Sequence, residues 1–238
     1  AVDNAGCVHI TGGMHNAPAP DNYIPGSWEQ MGASRDFTHD DFPAILYWVS
    51  RKPGNITSME FVGQRASPRR IPVPHGMNYM NFLQDNNGEL YLYGRIFVQG
   101  IQSWGLYRYD TGARRWSAVG GFAPDVKEEF PTWSDEHIRM GCDWLALPTM
   151  RWRHDHPHNR VLAWARQPHF YNFIRGWGIK FDRTNRMHVK VPLFGFDDQL
   201  HNANRELYAW SDTGGRAFHR ADGTLVALPL SVNPGPGN

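Results

Sequence analysis

Apolar and polar positions alternate in short runs along this chain, and the runs are separated by turns rich in glycine, aspartate and asparagine. The clearest stretch is Arg205 to Leu228, RELYAWSDTGGRAFHRADGTLVAL. Glu206 to Trp210 alternates and is aromatic, Ser211 to Gly215 is turn chemistry, and Ala217-Phe218 begins a return strand, which predicts a hairpin. The same plan is predicted at Ile45 (ILYWVSRKPGNITSMEF), Gly105 (GLYRYDTGARRW) and Val161 (VLAWARQPHFYNF). Aligning Leu46, Leu106, Leu162 and Leu207 gives steps of 60, 56 and 45 residues. Repeats of that length, built from short aromatic strands, predict propeller blades that bury their faces against one another.

A second repeat precedes the hairpins. Asp3 to Gly6 is a turn leading into Cys7 to Ile10, Asp85 to Gly88 leads into Glu89 to Tyr93, and Asp182 to Asn185 leads into Met187 to Val191. Between these units, residues 17–42 are rich in Pro, Gly and polar side chains and read as a long loop, of the kind that is usually functional or disordered. The expectation is an all-β fold: one domain over residues 1–238 made of four-stranded antiparallel blades, with an inserted loop at about 18–42.

Composition narrows the partners. Lys and Arg total 24 against 23 Asp and Glu, so the net charge of +1 asks for neither nucleic acid nor an anionic membrane surface. No apolar run reaches the roughly 20 residues that span a bilayer. The 10 Trp, 9 Tyr and 13 Phe suit propeller strands and equally suit surfaces that stack on sugars. The chain begins without Met, directly in a turn, and so reads as processed or cut from something longer. Cys7 and Cys142 leave open one bridge, two free thiols or a metal ligand. Asn55-Ile56-Thr57 is a glycosylation sequon if the chain is secreted.

Candidate chemistry sits at predicted strand ends. Gly12-Gly13-Met14 delivers His15 past the first strand, where a lone histidine is more often structural, and His39 lies in the long loop, where it reads equally as a solvated histidine. Tyr91-Leu92-Tyr93-Gly94 ends in Arg95, which either clamps a carboxylate or packs on the neighbouring rings. His154, His156 and His158 would share one face of an extended segment and could chelate a metal, although Pro157 interrupts a regular strand. Ser211 to Phe218 is similar to the Asp-box turn of sialidase-like propellers, with Thr213, Ala217 and Phe218 in place of its Asp, Thr and Trp.

These segments carry a wider resemblance. Asp3 to Asn16, Ala44 to Ser50, Tyr79 to Arg95 and Tyr208 to Leu230 resemble the BNR-repeat polysaccharide lyases, seven-bladed propellers that include ulvan lyases. Members are about twice as long, so the resemblance implies four to five blades here. It implies cleavage of a uronic-acid polysaccharide by β-elimination, with His15, His39, Tyr79 and Arg95 as catalytic residues. His75, Asn78, Tyr93 and Arg153 are then the expected substrate-binding residues. The reaction requires no cofactor. A structural metal, zinc or calcium, is the ion the resemblance implies, with Cys142 and His154 matching two ligands of a family zinc site. Met140 and Gln99 stand where two further histidines belong. The expected setting is secreted or extracellular, with an acidic polysaccharide as partner and a monomeric chain. The rival readings are a noncatalytic carbohydrate-binding propeller and a sialidase-like hydrolase.

Overall fold

The computed structural model describes residues 1–12, 46–61, 78–98, 101–122, 160–164, 170–172, 178–195 and 203–231. In chain order its strands are β1 (His9–Gly12), β2 (Leu46–Ser50), β3 (Met59–Phe61), β4 (Asn78–Gln84), β5 (Leu90–Val98), β6 (Ile101–Asp110), β7 (Arg115–Val119) and β8 (Gly121–Phe122). They continue as β9 (Arg160–Val161), β10 (Ala163–Trp164), β11 (Phe170–Asn172), β12 (Ile179–Phe181), β13 (Met187–Gly195), β14 (Ala203–Ser211), β15 (Phe218–His219) and β16 (Leu225–Val226). The fold is all-β. Among the described residues the only helical piece is a 3-10 turn, Ile56–Ser58, capped by the Asn55 side chain.

Three antiparallel sheets organise the described residues. The first is β1-β2-β3; the second runs β4-β5-β6 with β7 and β10 sharing the far side of β6; the third runs β13-β14-β15-β16 with β11 and β12 on the other side of β13. A two-stranded piece, β8-β9, continues the edge formed by β7 and β10. The pattern of four antiparallel strands is plainest in β4 to β7. Three of the four to five expected blades therefore lie among the described residues, and they do not close on themselves.

The repeated turns explain why the sheets look alike. Asp3, Asp85 and Asp182 each accept, through one carboxylate oxygen, the amides two and four residues on, at 2.8–2.9 Å. The fourth turn residue is left-handed in every case: Gly6 at φ 79°, Gly88 at 80° and Asn185 at 64°. That conformation suits glycine and asparagine and reverses the chain into the next strand. The Asp222-Gly223 turn follows the same backbone plan, since the Arg220 amide donates to the Thr224 carbonyl and the Gly223 amide to the Arg220 carbonyl; β14 and β15 form the expected hairpin, and β15 and β16 add a second.

Two sequence expectations need correction. Register aligns Tyr47, Leu106 and Tyr208, each paired with the residue eight past the aspartate that starts its repeat (Thr11, Tyr93 and Lys190), so the leucine alignment was one residue out. The predicted Val161 hairpin does not form as one unit. Its first arm, β10, pairs with β6 and its second, β11, with β13, because the Leu162 amide bonds the Trp104 carbonyl and holds the first arm on the second sheet.

Packing is face to face. Strand alternation sends Tyr91, Tyr93 and Leu106 of the second sheet onto Met187, Val189, Val191, Ala209 and Phe218 of the third. The opposite face of the second sheet meets the first, with His9 set edge-on against Tyr109 at 4.7 Å and near Phe82 and Trp116. Each large apolar side chain so buried contributes about 1.5–3 kcal/mol. At Gly121 an added Cβ would lie 2.0 Å from the Leu228 carbonyl oxygen, so only glycine lets the C-terminal segment cross there.

Candidate active site at the strand ends and two Asp–His–Tyr networks

The β4–β5 pairing is interrupted at one end. Asn78 pairs with Arg95, but the next pair is Asn81 with Tyr93, so Tyr79 and Met80 together face the single residue Gly94. This is a bulge, a device that re-aims side chains near sites. Tyr79 takes φ 51°, a left-handed conformation that costs an aromatic residue about 1–2 kcal/mol. The Asn81 amide holds the bulge by donating to the Tyr79 carbonyl at 2.7 Å. Tyr79 remains 38% exposed.

The end of β1 lies against the same bulge. Thr11 donates its hydroxyl to the Met80 sulfur at 3.0 Å, and Gly12 is the last paired residue of β1. Gly12 therefore ends β1 beside the bulge, and Arg95 sits at the same end of the second sheet by register. Of the expected catalytic set, the structure brings together the backbones of Tyr79 and Arg95. His15 and His39, the expected contacts His75 and Arg153, and the metal candidates Cys142 and His154 lie outside the described residues, as do the side chains of Asn78 and Arg95.

Tyr93 is placed elsewhere. It is buried, 2% exposed, in the core between the second and third sheets, and burial pushes its phenol up to about 12. Alternation on β5 makes it a packing group, not a surface contact. Cys7 is a buried free thiol, and no cluster of metal-ligating side chains occurs among the described residues. The zinc set as matched is half complete: Met140 and Gln99 stand where two imidazoles are expected, and Cys142 and His154 lie outside the described residues. No helix among the described residues is long and apolar enough to cross a membrane.

Sequence reasoning missed two side-chain networks built on the repeated turns. His9 bonds Asp3 Oδ2 through Nε2 at 3.1 Å and the Tyr47 hydroxyl through Nδ1. His188 bonds Asp182 Oδ2 through Nε2 at 3.1 Å and the Tyr208 hydroxyl through Nδ1 at 2.7 Å. A carboxylate only accepts, so Nε2 carries the proton; in the neutral ring Nδ1 then accepts and the tyrosine donates. Burial lowers the pKa of His9, against the opposing pull of Asp3. Hydrogen bonds from Thr184, Arg186 and His188 hold Asp182 well below the usual carboxylate range. The available signal was Asp-x-x-Gly/Asn-x-x-His, present at Asp3 and Asp182 and ending in Tyr91 at the middle repeat.

The Asp-box-like turn keeps its hydrogen bonds despite its substitutions. Ser211 Oγ accepts the Gly215 amide at 2.9 Å, and Thr213 Oγ1 accepts the Ala217 amide at 3.0 Å, so a hydroxyl fills the role of the missing carboxylate.

No family model matches the chain, and no curated protein matches it. Among solved structures it is similar to an ulvan lyase of polysaccharide lyase family PL25, at 12% identity and a TM-score of 0.48. It is similar to the same kind of lyase with a GlcA and Rha3S saccharide bound, at 13% identity and 0.46. Each alignment covers 98% of this chain and 42% of the other, so the chain spans less than half the length of those proteins.

Proposed function

We propose that this chain carries the site of a polysaccharide lyase that cleaves a uronic-acid polysaccharide by β-elimination in an extracellular setting. The observation that supports the reading is the strained, exposed Tyr79 in a bulge beside the Asn78–Arg95 pair, with the end of β1 tied to it through Thr11 and Met80. A left-handed aromatic residue at a bulge is a costly arrangement that packing alone does not require.

The chemistry assigns three roles. Arg95 pairs with the uronate carboxylate, which acidifies the proton on C5. His15 or Tyr79 removes that proton; the C5–H electrons become the C4=C5 double bond, and the C4–O4 bond breaks. The other of the two, or His39, donates a proton to the departing O4, which stays with the neighbouring sugar as a new reducing end. Asn78, His75 and Arg153 bind the flanking sugars in this scheme. Arginine supplies the positive charge, so the step needs no cofactor.

The test is the appearance of unsaturated-uronate absorbance when the chain meets acidic polysaccharides. Arg95→Ala and Tyr79→Phe are each expected to lower kcat/KM by at least about a hundredfold, the usual size of one such contribution. Binding without new absorbance would favour the noncatalytic carbohydrate-binding propeller, and full activity in Arg95→Ala would remove the clamp.

A further inference from the structure

Each sheet exposes one face only where a neighbouring sheet is absent. At the histidine position, His9 and Tyr91 are 1% exposed, whereas the His188 side chain is 33% exposed. At the position paired two residues further on, Tyr47 and Leu106 are fully buried and Tyr208 is 45% exposed. The opposite faces show the reverse. Leu92 and Val189 are fully buried, while Ile10, their equivalent in the first sheet, is 46% exposed.

The contact between consecutive sheets is thus one repeated contact: the histidine face of one sheet lies on the opposite face of the next. It is reinforced by the turns, since the Asn86 amide donates to Asn185 Oδ1 and its side chain to the Asp182 carbonyl, both at 2.7 Å. The third sheet offers the first half of this contact unfilled, with His188, Tyr208, Trp210, His219 and the 69% exposed Leu225 on one face by register. The first sheet offers the second half unfilled, with Val2 and Ile10.

We infer that these two faces bind each other between two copies of this chain, head to tail. The complementarity is already realised twice within the molecule, and a second copy presents the first-sheet face in that arrangement. Lys190 and Glu206, on the third-sheet face, are already paired at 2.8 Å, so covering them strands no lone charge. Propellers close with about four to eight blades. Two copies joined by two identical head-to-tail contacts bring together six sheets from the described residues, within that range; this departs from the expected monomer.

Sedimentation across a wide concentration range, with a parallel light-scattering mass, tests it. The wild type is expected at twice the 27.2 kDa chain mass. Ile10→Glu and Leu225→Glu each break one half of the contact and are expected to sediment as single copies with unchanged circular dichroism, since both side chains are solvent-exposed in one copy. Mixing the two variants restores one intact contact and the double mass, which a symmetric same-face dimer would not do. Tyr208→Lys provides a second break of the same face. A wild type of single mass at all concentrations overturns the inference, as do variants that keep the wild-type mass. A single-copy wild type whose Tyr208 signals shift with an acidic oligosaccharide assigns the face to sugar instead.

Discussion

The two Asp–His–Tyr networks have the same connectivity and opposite surroundings. Asp3, His9 and Tyr47 are sealed beneath Phe82, Tyr109 and Trp116, whereas Asp182, His188 and Tyr208 face outward. In the first, a buried imidazole and phenol have no water to turn to, and each depends on its partner. In the second, water replaces any bond that is lost. The turn that starts each repeat builds the network, and the next sheet decides how much stability depends on it.

The sharpest way to break this comparison is to delete each histidine. His9→Ala leaves a cavity and an unpaired Tyr47 hydroxyl, and is expected to cost about 3 kcal/mol or more in denaturant unfolding. His188→Ala is expected to cost about 1 kcal/mol or less. Equal losses would mean that the neighbouring sheet does not set the dependence. Removing only the hydroxyls refines the point: Tyr47→Phe should cost about 1–3 kcal/mol, because the His9 acceptor is left buried, and Tyr208→Phe within about 0.5 kcal/mol.

Acid stability is a smaller effect with a definite sign. The folded pKa of His9 lies below the unfolded value of about 6.5, so the unfolded chain takes up this proton first. The His9 contribution is therefore neutral above about pH 6.5, and stability falls as the pH drops below it. The slope in this window should disappear in a His9→Gln variant. At the alkaline end, burial raises Tyr47, Tyr107 and Tyr109 and pushes Tyr91 and Tyr93 up to about 12. The unfolded chain ionises first, so stability should fall as pH rises through about 10, with phenolate absorbance appearing in one cooperative step at unfolding. A gradual rise without unfolding that includes these five phenols would show that they are not sealed.

The repeating architecture could be read from residue types because turn chemistry is local. Asp85-Asn86-Asn87-Gly88 specifies its own hydrogen bonds, and the strands on either side alternate cleanly. Register was harder. A one-residue slip changes which face a side chain occupies, and the choice between Leu46 and Tyr47 as the equivalent of Leu106 in the first sheet depends on packing between sheets, which sequence spacing does not carry. Tyr93 shows the same limit: its neighbour Tyr91 and the glycine after it suggested a strand end open to ligand, yet the third sheet covers it. The Tyr79 bulge could not be read at all, since nothing in YMNF announces that two residues will face one glycine. The paired histidines and tyrosines were missed for a further reason. They sit about 20 residues apart in one case and 38 in the other, joined only by strand register.

The most direct measurement of the proposed chemistry is the fate of water in the products. An acidic uronate polysaccharide is cleaved by the chain in heavy-oxygen water and the fragments are weighed by mass spectrometry. Elimination predicts fragments ending in an unsaturated uronate with no heavy oxygen built in during bond cleavage, together with loss of product formation in Arg95→Ala. Fragments that carry one heavy oxygen for each bond broken would mean hydrolysis and contradict the lyase, and an uncleaved polymer that still binds would leave a carbohydrate-binding propeller.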